Sequence, residues 1–167
     1  MLDFYIKKKV NSVLKNHTRK HVFRSPENMV TILILFNSKD WKEVSEIAQD
    51  MRDNGKEVLL WTIQPKNAPA LDMPNVRIIT SKELSKTQVL SSSVINEFES
   101  LEYDTLLDLT TKDENALLYL LGINTSEFCV GIKELDYKVF DFIILKEDDK
   151  NLVETYTQIK FYLNNIR

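Results

Sequence analysis

The sequence predicts an α/β protein: a three-layer domain with a mainly parallel sheet of five or six strands, preceded by a basic amphipathic N-terminal helix. Three observations predict it. Short apolar runs alternate along the chain with stretches whose apolar residues recur at helical spacing, the pattern of a parallel sheet covered by helices. The run "MVTILILF" (29–36) is apolar on both faces, as suits a strand in the middle of such a sheet. The composition, 43% hydrophobic and 28% charged over 167 residues, is that of a single globular domain long enough to bury a core.

The elements follow in order. Leu2, Ile6, Val10, Val13 and Leu14 keep helical spacing, with Lys7, Lys8, Lys9 and Lys15 between them, which reads as a basic amphipathic helix. The polar stretch "NHTRKHVFRSPEN" reads as a linker, and residues 29–36 as the first strand. In "SKDWKEVSEIAQDMRDNG" the stripe Trp41, Val44, Ile47, Ala48 and Met51 predicts a helix, with Gly55 as its left-handed stop. "EVLLWTI" (57–63) is the second strand. Residues 64–75 hold three of the four prolines and read as a loop, not a crossover helix. "VRIIT" (76–80) is a short third strand suited to an edge, and "SSSVINEFESLE" (91–102) a helix opened by serines. "YDTLLDL" (103–109) is the fourth strand, expected beside the first, and "ENALLYLL" a helix ending at Gly122. "FCVGI" (128–132) and "FDFIILK" (140–146) are strands five and six. Leu152, Tyr156, Ile159 and Leu163 line one face of a closing helix. Residues 25–167 are thus expected to form the domain, with residues 1–24 as basic helix and linker.

Charge divides the chain at the same place. Residues 1–24 carry seven Lys or Arg against Asp3, a net +6; the whole chain is −3, which leaves −9 on residues 25–167. A basic arm before an acidic body points to docking of the arm on its own domain or to an anionic partner. Lys7, Lys8, Lys9, Lys15, Arg19 and Lys20, with Arg24 beyond them, are the candidate anion-binding residues, for RNA phosphates or an anionic membrane surface. The helix "ENALLYLLG" is apolar almost all round, so something must cover it: the arm, a protein partner or a second copy in weak self-association. No run of about 18 apolar residues predicts a membrane span, and the first residues do not read as a signal peptide. The single Cys129 has no internal disulfide partner, and a reducing cytoplasm is the simplest expectation.

Chemistry is sparse. Phosphate cradles at strand-to-helix turns use glycine, yet Gly55, Gly122 and Gly131 all lie elsewhere. The two turns read "FNSKDW" and "LTTKDE". Thr111 with Glu114 fits a capping box, and Asp40, Glu43, Asp113 and Glu114 already put negative charge at helix starts, where it would repel a phosphate. Asp108 stands at the carboxyl end of the fourth strand, where open α/β sheets place ligands. With Asn37, Asp40, Thr110 and Lys112 it makes either a small polar ligand pocket or a set of backbone caps, and capping is the favoured reading. His17 and His21 are four apart without companion ligands, so no metal site is read. Cys129 reads as a small buried hydrophobe. With no Gly-x-Ser-x-Gly elbow and no His beyond residue 21, no catalytic triad is expected, and no cofactor motif is present.

Two resemblances add to this. "YDTLLDLT", an apolar helix and then "EFCVGI" resemble the N-terminal Rossmann-like half of lipopolysaccharide heptosyltransferases. More broadly, the chain resembles a family of small Bacteroidota proteins known as a domain of unknown function. It shares with them the basic N-terminal segment, the apolar first strand, "SKEL" (81–84), Tyr103–Leu109, "SEFCVG" (126–131), Phe140–Ile144 and Gln158–Ile166. The second resemblance implies a Rossmann-like fold and no assigned activity. The first implies sugar-nucleotide chemistry, but heptosyltransferases bind the nucleotide mainly through a second domain, for which this chain has no room. The expected function is therefore a non-catalytic interaction or regulatory module, the alternative a glycosyltransferase-related domain binding a sugar nucleotide or other small ligand.

Overall fold

The computed structural model describes the backbone of residues 2–166 and the side chains of 4–166; Leu2, assigned above to the buried helix face, has its side chain outside that range. Six strands form one sheet: β1 (Thr31–Leu35), β2 (Glu57–Ile63), β3 (Val76–Ile79), β4 (Thr105–Asp108), β5 (Phe128–Gly131) and β6 (Phe142–Ile143). All neighbouring pairs are parallel, in the order β3-β2-β1-β4-β5-β6. That is the order of a Rossmann sheet. β1 is central beside β4 and β3 is at an edge, as the apolar content of each run implies.

Side-chain alternation sorts the core into two layers. Ile32, Ile34 and Phe36 face α2 (Trp41–Asp53) and α5 (Leu152–Asn165). Leu33 and Leu35 face the layer of α1 (Leu2–Lys15), α3 (Ser92–Glu99) and α4 (Asn115–Ile123). Gly55 closes α2 at φ 81°, in the left-handed region. Ser91 and Asn151 cap α3 and α5 by accepting the Val94 and Glu154 N–H groups. β6 is shorter than its apolar run because its only partner, β5, ends at Gly131; beyond it the Ile144 and Lys146 N–H groups still donate to Gly131 O and Ile132 O.

The arm is part of this fold. Ile6, Val10 and Leu14 are buried against α4, each apolar side chain contributing about 1.5–3 kcal/mol. α4 does not stop at Gly122, as its glycine implied; it runs to Ile123, and Gly122 serves the helix crossing instead. A Cβ there would lie 2.5 Å from Val13 Cγ2 and 3.2 Å from Leu14 N, so the close approach of α1 requires a residue without one.

Past α1 the chain is pinned by Arg19, whose side chain is only 2% exposed. Its guanidinium donates to Ser126 O, Glu127 O and Val139 O, to Asp141 Oδ2 at 2.7 Å and to His17 Nε2 at 2.8 Å. His17 Nδ1 lies 3.1 Å from Gly122 O. Accepting at Nε2 requires a neutral ring that donates from Nδ1. Asp141 also pairs with His21 and accepts the Cys129 N–H. Burial alone would raise the Asp141 pKa; the hydrogen bonds from His21, Cys129 and Arg19 outweigh it and hold the carboxyl below its ordinary range.

Two outcomes test this packing. Gly122→Ala should cost about 1–3 kcal/mol by overpacking, and adding Val13→Ala should recover part of that loss in urea unfolding; strictly additive losses would contradict the contact. Arg19→Met should cost about 3 kcal/mol, since it leaves the Asp141 carboxylate and several carbonyls without their donor. Stability should also depend on pH through His17. Burial holds its pKa below the ordinary 6.5, so the unfolded chain takes up the proton first. Stability is then full above about 6.5 and falls as pH drops towards the folded value; His17→Gln should flatten that slope in thermal melts.

Candidate functional site

β1 leads into α2 on one face of the sheet and β4 leads into α4 on the other. The crevice between the carboxyl ends of β1 and β4 is therefore the topological switch point, where open α/β sheets receive ligands. Leu35 pairs with Asp108 across it, which brings Asn37, Asp40, Asp108, Thr110 and the Lys112 backbone together.

Asn37 ties the two turns to each other. Its Oδ1 accepts the N–H groups of Thr111 (2.7 Å) and Lys112 (3.0 Å). Its Nδ2 donates to Lys112 O (2.9 Å) and Glu114 Oε1 (2.6 Å). Both amide acceptor positions and both donors are thus used within the chain. The Thr111–Glu114 capping box does not form. α4 starts after Glu114 without a side-chain cap, because Asn37 takes the Thr111 N–H and engages the Glu114 carboxylate; the Thr111 hydroxyl donates to Asp40 Oδ2 at 2.9 Å.

Asp108 is buried, and its Oδ1 accepts the Thr110 N–H (2.9 Å) and hydroxyl (2.6 Å) in a local turn bond. Lys133, just beyond β5, lies 3.8 Å from Asp108 Oδ2, donates to the Thr110 hydroxyl and pairs with Asp113 at 2.9 Å. Burial pushes the Asp108 carboxyl up, against the opposing pull of Lys133 and Thr110. Burial likewise raises Glu114, opposed by the Asn37 hydrogen bond. The Lys112 side chain is exposed. Lys133 has no local sequence signal other than its place two residues past Gly131, the end of β5.

The other candidates lie apart from this crevice. Lys7, Lys8, Lys9, Lys15 and Lys20 are exposed, while Arg19 is turned inward as described. His17 and His21 are engaged with Gly122 and Asp141. Cys129 is fully buried, and burial pushes its thiol up, which disfavours the nucleophilic thiolate. Among the described residues no helix is long and apolar enough to cross a membrane.

Residues 3–166 match a family described as Family of unknown function (DUF6913). The chain belongs to that family. No curated protein and no solved structure matches it. For a DUF6913 protein the recognisable part is therefore the whole α/β body together with its arm, since the match spans both.

Asn37 offers a direct test. Asn37→Asp removes both donors and sets a second carboxylate against Glu114, and should cost about 2–3 kcal/mol at neutral pH. The penalty should shrink on acidification. Mutual repulsion raises the folded-state pKa values of the two carboxyls, so the folded protein takes up the proton first and gains stability as pH falls. A penalty independent of pH in urea unfolding at pH 5 and pH 7 would contradict the Asn37–Glu114 contact.

Proposed function

We propose that this chain is a non-catalytic interaction or regulatory module of the bacterial cytoplasm. The observation that carries the reading is the full use of the Asn37 amide by Thr111, Lys112 and Glu114 at the position where a ligand of this sheet order would enter. A phosphate or sugar hydroxyl there must displace bonds already made and meets the carboxylates of Asp40, Asp108, Asp113 and Glu114 with Lys133 as the bonded counter-charge. Neither turn supplies the glycine that lets a backbone approach a phosphate. In this reading residues 25–167 are the Rossmann-like body and residues 1–24 its basic arm, and the Bacteroidota origin implied by the sequence resemblance goes with it.

The strand order favours a second reading: a glycosyltransferase-related domain that holds a sugar nucleotide through Asn37, Asp40, Asp108, Thr110 and Lys112. Thermal-shift titration with nucleotides and sugar nucleotides separates the two. The first reading expects no saturable shift. A ligand at about 100 times its Kd would stabilise by about 2.7 kcal/mol. A saturable rise in Tm of that order, abolished by Asp108→Ala and by the exposed-site change Lys112→Ala, would overturn the first reading in favour of the second.

A further inference from the structure

We propose that the outward face of α1 docks on an anionic lipid surface. The argument starts from what docking on α4 leaves uncovered. Ile6, Val10 and Leu14 point inward and are 5% exposed or less. At 3.6 residues per turn, Phe4, Lys8 and Lys15 fall on the opposite stripe, with Lys7 and Lys9 on its flanks. Phe4 is 73% exposed and Tyr5 48%. All four lysines are exposed, and none is ion-paired among the described residues. No acidic residue occurs from Phe4 to Lys20. An apolar face spent on the fold therefore leaves a second face of one aromatic wedge among lysines that form no direct ion pair among the described residues.

The shape of this surface selects the partner. α1 is a ridge over α4. One flank opens onto residues 82–92 across a groove that Tyr5 and Lys9 share with Glu83, the other onto residues 135–137 across a groove that Lys7 and Leu14 share with Asp113 and Asp136. These carboxylates repel a nucleic-acid phosphate in either groove but lie to the side of the outermost stripe. A convex ridge meets a plane along its length, whereas single-stranded nucleic acid is held in a groove with stacking aromatics. The exposed cations of α1 are lysines, point charges on flexible stems that reach a diffuse layer of head groups; arginine forks suit paired phosphate contacts. Phe4 can enter the head-group boundary while Lys8 and Lys15 stay at its surface. The −9 carried by residues 25–167 opposes such binding only within a screening length of about 8 Å at physiological salt, so it orients the body away from the surface without cancelling the contact. The inference goes beyond the reading of the switch-point crevice and holds whether or not that crevice takes a ligand.

The test is sedimentation of the full chain with vesicles of phosphatidylcholine, alone or with about one-third phosphatidylserine, beside binding to a homopolymer RNA. Each lysine near such a surface contributes about fivefold. The expected result is binding to the serine-containing vesicles only, weakened between about 50 and 200 mM salt. Lys7→Gln/Lys8→Gln/Lys9→Gln should lower it by more than about tenfold and Phe4→Ser by several-fold, with the melting point unchanged because these side chains are exposed. Lys8→Glu/Lys15→Glu, which touches only the outermost stripe, should abolish it. No sedimentation with phosphatidylserine, equal sedimentation with neutral vesicles, or tighter binding to RNA with no effect of Phe4→Ser would each overturn the proposal.

Discussion

Helix α4 is apolar on nearly every side, and much of the structure answers to that constraint. Its Leu117, Leu120 and Leu121 are buried and its Leu118, Tyr119 and Ile123 are packed at the margin of the same cluster. The sheet covers one side only. α1 covers another, which is why a helix that looks like an appendage in sequence belongs to the core. Gly122 sets how near α1 can come, and Arg19 holds the chain after it by donors to three carbonyls and a carboxylate. The linker is held further by the Val22 N–H donating to Glu127 O, by Arg24 on the Glu127 carboxylate and by His21 against Asp141.

The parts of the fold legible in sequence are those set by local pattern. β1, β2 and β4 declare themselves because strands buried on both faces need continuous apolar runs, and Gly55 ends α2 because a positive φ favours glycine. What stayed hidden depends on distant partners. Nothing near Arg19 shows that it will be buried, since its acceptors lie at Ser126, Glu127, Val139 and Asp141. Gly122 carries the same residue type as a helix stop but answers to Val13. Thr111 and Glu114 have the spacing of a capping box, and Asn37, more than seventy positions away, takes the groups the box would have used. The candidate site was legible as a location, the carboxyl ends of β1 and β4. The engagement of its groups with one another was not.

The switch-point crevice and the arm share a physical logic. In both, polar groups that look free in the sequence are neutralised by contacts within the chain: Asn37 and Asp108 at one end of the sheet, Arg19, His17 and Asp141 near the other. The lysines on the outside of α1, by contrast, are exposed and form no ion pair among the described residues. On the proposed reading, the module acts through its surface and the sheet supplies the rigid frame.

The central claim is that α1 folds as one cooperative unit with α4 and the sheet, and native-state hydrogen exchange tests it most directly. If α1 is integral, the slowest amides around Val10 and Leu14 should open with the same free energy as those of β1 and β4, and Arg19→Met should lower all of them together. Exchange of the α1 amides at rates close to those of an unstructured peptide, with α4 still fully protected, would contradict it.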